Sequence, residues 1–222
     1  MSAFASILRK DLRLELRSGE STITLGFLSI LILTVLTFAL NAPAGDPAIA
    51  AGALWVAIIL AGTTGATRVM VIEWQNGCLQ ALLLSPADRT AIYCAKLLAS
   101  FIFMALAGVA ATLLLVLFFN LDFSFRLVRL APILAMGALG FAALATLLAT
   151  LQVHTRVGDL LLPLLAMPVF VPALIAGVSA SNAALAGLPF AVFAHWLKIL
   201  AASDILFLAG GYLLFEQIIG DG

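Results

Sequence analysis

Six apolar stretches, each about as long as a membrane-crossing helix, constrain this chain more than any other feature. A helix needs about 20 apolar residues to cross the hydrocarbon core of a bilayer, which is about 30 Å thick. In lipid, helices satisfy their own backbone hydrogen bonds. We therefore predict an all-α polytopic membrane protein with six transmembrane helices, over residues 23–40, 50–72, 96–119, 131–151, 160–178 and 199–219.

The composition indicates that lipid surrounds most of the chain. Hydrophobic residues make up 64% of the 222 residues and charged residues 10%, whereas a soluble domain is about half apolar and about a quarter charged. The formal net charge is zero, so the chain lacks the basic footprint of a nucleic-acid-binding protein. We assign residues 1–222 to a single transmembrane domain and expect Cys78 and Cys94 on the cytoplasmic side, where thiols stay reduced.

Residues 3–18 have the pattern of an interfacial amphipathic helix, with an apolar arc and a basic arc that suits anionic headgroups. Two carboxylates, Asp11 and Glu15, interrupt the apolar arc, and two interpretations stay open. Either they pair with basic neighbours at headgroup level, or they meet a basic group of the bundle or of a partner. The basic arc consists of Arg9, Lys10, Arg13 and Arg17.

The polar residues 73–88, between the second and third stretches, predict a short cytoplasmic helix. Gly77 permits a backbone turn, residues 77–84 can make about two helical turns, and Ser85-Pro86 is typical of a helix start. We call residues 73–88 the coupling segment, because an external motor could push on the membrane part here. Lys96, which follows it, is expected to extend to the headgroups. The candidate motor contacts are Glu73, Gln75, Gly77, Leu79, Gln80, Leu82 and Arg89.

The distribution of basic residues predicts the orientation in the membrane, because cytoplasmic loops are enriched in lysine and arginine. With the N-terminus inside, only Arg126, Arg129 and Lys198 lie outside. The basic residues on the inner side are then Arg9, Lys10, Arg13, Arg17, Arg68, Arg89, Lys96 and Arg156. Both termini are therefore expected to be cytoplasmic.

Prolines and small residues predict how the later spans pack. A helix over 160–178 is expected to be kinked by Pro163, Pro168 and Pro172, and to be buried in protein or to line a cavity; a static kink is an equal alternative. Residues 179–196 are interrupted by turn-forming residues and are expected to form outer-surface or re-entrant structure. Small residues at four-residue spacing predict packing faces, at Ala57, Ala61 and Gly65 and at Ala138, Ala142, Thr146 and Thr150.

The chain carries none of the sequence patterns that predict an enzyme. It has no G-x-x-x-x-G-K-[ST] phosphate loop, so any ATP is expected in a partner chain. Asp159, Asp204 and Glu216 are expected near membrane boundaries, which gives little support to a proton relay. His195 with Trp196 could contact a planar ligand, although such a pair is more often an interfacial anchor. His154 is expected at the opposite face from His195, and no metal site or bound cofactor is predicted.

The residues of the coupling segment resemble a known family. They read Glu73-Trp-Gln-Asn-Gly77-Cys-Leu79-Gln-Ala-Leu82-Leu-Leu-Ser-Pro86, and Ala95-Lys96 follows. This resembles the ABC-2-type export permeases and, more closely, the CcmB family, the heme exporter B subunits of cytochrome c maturation. The family pattern is acidic-x-Gln-x-Gly-x-Leu-acidic-x-Leu, then Pro, then Ala-Lys. Arg68, Arg156-x-Gly158 and Pro168-x-x-x-Pro172 fit it as well, whereas Gln80 stands where the family usually has a carboxylate.

The resemblance implies a permease subunit of the bacterial inner membrane that works with a separate ATPase, CcmA. It also implies CcmC, CcmD and the heme chaperone CcmE as partners, with heme as cargo or with release of the heme-loaded chaperone. This superfamily usually has two six-span units, which is consistent with a homodimer or with a pair formed with a different subunit. Two alternatives stay open: an ABC-2 permease for lipid, polysaccharide or drug, and a non-transporting scaffold for the ATPase.

Overall fold

A computed structural model describes the backbone of residues 3–18, 20–39, 46–60, 89–119, 125–154 and 158–220. These segments are almost entirely helical, and their apolar composition accounts for that, because a helix satisfies its backbone groups internally. In chain order the helices are α1 (Ala3–Ser18), α2 (Glu20–Ala39), α3 (Pro47–Leu60), α4 (Arg89–Phe118), α5 (Phe125–Val128), α6 (Leu130–His154), α7 (Gly158–Leu185) and α8 (Phe190–Gly220).

Four of the described helices are long and apolar enough to cross a membrane. The apolar segments are Thr90–Phe118 in α4, Leu130–Leu147 in α6, Pro168–Leu185 in α7 and Phe190–Leu213 in α8. Two shorter apolar segments, Gly26–Ala39 in α2 and Pro47–Leu60 in α3, add to them. The prediction of a polytopic all-α membrane protein is thereby supported in its coarse form.

The start of α3 is fixed by a helix cap. The Asp46 side chain accepts hydrogen bonds from the backbone N–H groups of Ala48, at 2.8 Å, and Ile49, at 3.2 Å. Pro47 occupies the first helical position, where the absence of an N–H costs nothing. The helix of the second predicted span therefore begins at Pro47 and not at residue 50.

The greatest difference from the sequence prediction lies in residues 179–198. Residues 179–185 continue α7, and α8 already begins at Phe190. The prediction of a separate outer-surface or re-entrant segment is therefore wrong. The chain reverses within four residues because Gly187 adopts a φ of 73°, which glycine accepts readily. The N–H of Leu188 donates to the carbonyl of Ala183 at 3.0 Å and that of Gly187 to Ala184 at 3.1 Å, which is a Schellman helix end.

This early start of α8 changes the depth of Asp204. Residue 204 was expected near a membrane boundary, but it lies well inside the apolar segment Phe190–Leu213. The early start also places Lys198 within the helix, with an exposed side chain, and not before it.

The three predicted kink prolines lie inside one continuous helix. Pro163, Pro168 and Pro172 all fall within α7, which runs from Gly158 to Leu185. Pro168 and Pro172 are exposed on its surface. The kink itself, and any movement at it, stays a prediction.

The core lies around α6, which packs against α8, α7 and α4. The predicted small-residue face of α6 is buried there: Ala138, Ala142 and Thr146 are all shielded. The Thr146 hydroxyl bonds to the carbonyl of Ala142 at 2.7 Å, which satisfies a polar group that lipid could not. In α3, Ala57 is buried as predicted; Ala61, Gly65 and the side chain of Thr150 lie outside the described part.

Large apolar side chains cover the outside of the bundle. Such a surface would be a liability in water and is the expected surface in lipid. Examples from α2, α4 and α8 are Phe27, Phe38, Leu113, Leu117, Phe190, Ile205 and Leu206.

Candidate functional site

The N-terminal helix is docked onto the bundle at the beginning of α4. Ile7 of α1 is buried with Ile92, Tyr93 and Ala95 of α4, and Phe4, Leu8 and Leu97 pack around them. The apolar arc of the amphipathic helix thus contacts protein at this point. We call this contact the α1–α4 junction.

A buried ion pair holds the α1–α4 junction together. The Lys96 Nζ atom donates to Asp11 Oδ2 at 2.8 Å, and the two side chains are 1% and 4% exposed. Lys10 approaches Oδ1 of the same carboxylate at 3.3 Å from a position at the rim. A buried charge is tolerated when it is paired in this way.

This pair decides between the two interpretations of Asp11. Asp11 meets a basic group of the bundle, while it also keeps the expected local contact with Lys10. The expectation that Lys96 extends to the headgroups is wrong, because its side chain is buried and its ammonium is paired with the Asp11 carboxylate inside the protein. The side chain of Glu15 lies outside the described part.

The basic side chains of α1 that the structure describes lie on or near its surface, and their contact with headgroups stays a prediction. Arg9 and Arg13 are exposed, and Lys10 is half-buried. Residue 17 lies within α1, but its side chain is outside the described part.

The coupling segment itself lies outside the described residues, which resume at Arg89. Glu73, Gln75, Gly77, Leu79, Gln80 and Leu82 all belong to it. Arg89 is the first residue of α4, and its side chain is likewise outside the described part. Lys96 is about two helical turns further along the same helix. The α1–α4 junction therefore lies on the helix into which the coupling segment leads.

Trp55 makes a second contact that the sequence did not indicate: it joins α3 to α7 by a hydrogen bond and to α6 by packing. The Trp55 ring is almost fully buried, and its Nε1 donates to Ser181 Oγ at 3.0 Å. A Cβ atom added at Gly137 of α6 or at Gly177 of α7 would overlap the indole. Glycine at both positions therefore makes room for the ring; we call this contact the Trp55 notch. A single tryptophan in an apolar stretch does not indicate, from sequence alone, which residues it contacts.

His195 and Trp196 lie near the beginning of α8, far along the chain from the α1–α4 junction. Their ring centroids are 5.5 Å apart in an edge arrangement, and His195 is exposed while Trp196 packs on the core. Shortly before His195 in the chain, the carbonyl of Leu188 accepts a hydrogen bond from the Arg129 side chain at 3.0 Å, which ties the α5–α6 connection to the α7–α8 turn. A ligand at His195 stays a prediction.

No group of three potential metal ligands occurs among the residues that the structure describes. Cys94 is a free thiol on α4, with an exposed side chain.

Comparison with known proteins supplies the family. The family model described as CcmB protein matches residues 2–210. The chain is 32% identical over 203 residues to "Heme exporter protein B" of Rhodobacter capsulatus, covering 90% of this chain and 92% of that protein. It is 30% identical over 195 residues to the protein of the same name from Bradyrhizobium diazoefficiens, with 84% of each chain covered.

A third relative agrees over a shorter region. "Heme exporter protein B" of Pseudomonas aeruginosa is 33% identical over 155 residues, which are 68% of this chain and 67% of that protein. The family match covers α1, the coupling segment and every described helix except the end of α8. The chain therefore belongs to the CcmB protein family.

Proposed function

We propose that the chain is the membrane subunit of an ABC transporter complex in cytochrome c maturation. It would couple ATP hydrolysis in a separate ATPase to heme export or to release of a heme-loaded chaperone. The observation that carries this proposal is the family match over residues 2–210, together with relatives that bear the name heme exporter protein B. ATP belongs to the partner chain, and heme is the cargo of the system and not a resident group of this subunit.

The proposed arrangement has six spans, formed by α2, α3, α4, α6, α7 and α8, with both termini in the cytoplasm of a bacterium. The partners are a CcmA-like ATPase and CcmC-, CcmD- and CcmE-like heme-handling proteins, and the complex contains two six-span units. The excess of basic residues on the inner side supports this orientation.

In the proposed mechanism, the coupling segment docks in a groove of the ATPase. Leu79 and Leu82 supply the apolar contact, and Glu73, Gln80 and Arg89 supply polar ones; Gln75 and Gly77 shape the segment. Gln80 can donate and accept hydrogen bonds but cannot form an ion pair.

The α1–α4 junction supports a path for the motion beyond the docking site. Because Lys96 of α4 is bonded to Asp11 at 2.8 Å, a displacement of the start of α4 carries α1 with it. ATP binding in the partner can shift this arrangement only by its differential affinity for the two states. The proposal therefore assigns α1 and the start of α4 to one moving unit.

The test is co-purification in mild detergent from cells that carry the complete maturation system. The unaltered chain is expected to bring down an ATPase and a heme chaperone, whereas the double variant Leu79→Asp, Leu82→Asp loses the ATPase, because two carboxylates cannot enter an apolar groove. The matched control, Leu79→Met with Leu82→Met, conserves volume and should retain it. Normal ATPase recovery and turnover with the aspartate variant would show that the docking site is elsewhere.

A further inference from the structure

One carboxylic acid, Asp204, lies deep in the described bundle. It is 5% exposed and belongs to the apolar segment Phe190–Leu213 of α8. At 1.5 Å per residue, it lies about 21 Å along the helix from Phe190 and about 14 Å from Leu213. Ionisable residues at such depth are rare, and they face the protein interior when they occur.

The surroundings of Asp204 are apolar and closely packed. A Cβ atom at Gly140 of α6 would overlap Oδ1 of Asp204, and Phe207, one turn further along α8, also lies against that glycine. Phe207 stacks on Phe170 of α7 with ring centroids 6.3 Å apart, and Phe170 meets Phe141 of α6 edge-on at 5.2 Å. We call the contact between α6 and α8 at Gly140 and Asp204 the Asp204 seam.

The carboxyl oxygen in the seam is not satisfied by its neighbours. Oδ1 of Asp204 is fully buried and has no hydrogen-bond partner within the part of the chain that the structure describes. The adjacent hydroxyl, Ser203 Oγ, bonds to the backbone carbonyl of Ile199 at 3.0 Å. An ionised carboxylate would meet neither water nor a donor at this atom, which strongly disfavours the charged form.

No described cation is paired with Asp204. The described side chains of α6, residues 130–147, and of α7, residues 168–185, include no titratable group. On α4, Lys96 is bonded to Asp11, and the Tyr93 hydroxyl lies against Gly211, two turns from Asp204. The titratable groups with described side chains on α4 and α8, besides Asp204, are Tyr93, Cys94, Lys96, His195, Lys198 and Tyr212.

We propose that Asp204 is a proton-binding site, which holds a proton while the Asp204 seam is closed and releases it when α6 and α8 separate. The neutral acid fits the dry seam, whereas the carboxylate needs water or a cation, which only separation can supply. Proton binding and closure favour each other by linkage. The closed form binds more protons than the open one, so rising pH favours opening. The site belongs to this chain whether or not the proposed function holds.

The direct test is infrared spectroscopy of the full-length chain in lipid nanodiscs at neutral pH, where an ordinary aspartate is ionised. The unaltered chain is expected to show the carbonyl band of a protonated carboxylic acid, and Asp204→Asn is expected to lose it. Ser203→Ala, which changes the neighbouring residue only, should keep the band. Spectra of the unaltered chain and of Asp204→Asn that coincide in this region would overturn the proposal.

A second measurement tests the link between the proton and closure of the seam. The thermal midpoint of the unaltered chain should fall with rising pH more steeply than that of Asp204→Asn, because the closed form binds the additional proton. Equal slopes for the two proteins would contradict this link.

A glycine pair tests the geometry of the seam. The Cβ added by Gly140→Ala would overlap Oδ1 of Asp204 and should displace the carboxyl, with loss of the protonated-acid band at neutral pH. Gly210→Ala is the matched control on α8, because a Cβ there has no neighbour within 4 Å. An unchanged band in Gly140→Ala would show that the seam does not hold the acid.

Discussion

A lysine within an apolar helix can extend to the membrane surface or find a carboxylate inside the protein. Lys96 does the second, because α1 brings Asp11 to within 2.8 Å of its ammonium. The sequence indicates that Asp11 is out of place on an apolar arc, and it offers a basic group of the bundle as one explanation. It does not name Lys96, because 85 residues separate the two and only the docked position of α1 brings them together.

The first prediction concerns this pair. Asp11→Asn leaves the buried Lys96 ammonium without its carboxylate, and removal of one member of a buried pair costs about 3 kcal/mol or more. We expect a clear drop in the midpoint of thermal unfolding in nanodiscs, with α1 becoming accessible to protease.

Two comparisons make this prediction specific. Lys10→Gln removes the rim contact to the same carboxylate and should cost less than about 1 kcal/mol, because Lys10 is partly exposed. Replacing both members, Asp11→Leu with Lys96→Met, should restore most of the stability, because apolar pairs of similar volume often substitute well for buried ion pairs. An Asp11→Asn midpoint equal to that of Lys10→Gln would contradict a stabilising role for the buried contact.

At the scale of helices, the four-residue spacing of small side chains correctly predicts one packing face, that of α6 with Ala138, Ala142 and Thr146. It does not predict Trp55, which fills the space left by Gly137 and Gly177. Spacing shows which side of a helix can be approached closely, whereas the identity of the group that approaches is a tertiary property.

The second prediction uses the glycines of the Trp55 notch. Gly137→Ala and Gly177→Ala each place a methyl group against the indole and should destabilise the protein by about 1–3 kcal/mol, as overpacking does in other cores. Gly52→Ala on α3, where a Cβ has no neighbour within 4 Å, is the control and should be neutral or slightly stabilising. Thermal midpoints in nanodiscs measure all three, and equal midpoints would argue against close packing at the notch.

The boundary between α7 and α8 differs from the one predicted from the sequence. Turn-forming residues suggested that residues 179–196 are interrupted throughout, yet the reversal needs only Gly187 and its neighbours. Asn182 remains helical, because its backbone bonds matter more than its modest propensity. The helices on either side of the turn are consequently longer than predicted, and Asp204 lies deeper than predicted.

At the scale of the whole molecule, hydropathy correctly predicts apolar helices in the part of the chain that the structure describes, since lipid leaves few alternatives. The number of spans rests on the six apolar stretches, and the orientation rests on the distribution of basic residues in the loops. The family pattern lies mainly in the coupling segment, which is outside the described residues. The residues that best identify the family therefore take no part in the packing contacts described above.

The third prediction tests orientation. With Cys78 and Cys94 replaced by serine, Ala186→Cys places a thiol on the exposed α7–α8 turn, which should react with an impermeant maleimide added to intact spheroplasts. Arg9→Cys, on the exposed arc of α1, should react only after the membrane is permeabilised. The reverse pattern would invert the orientation that we expect from the basic residues.

The Trp55 notch has a consequence for how such a bundle can move. One indole ring is held by glycines of both α6 and α7 and is hydrogen-bonded to Ser181. Neither helix can slide past the other without withdrawing the ring and abandoning that bond. We therefore expect α3, α6 and α7 to behave as a stationary frame during turnover, against which the peripheral helices are displaced.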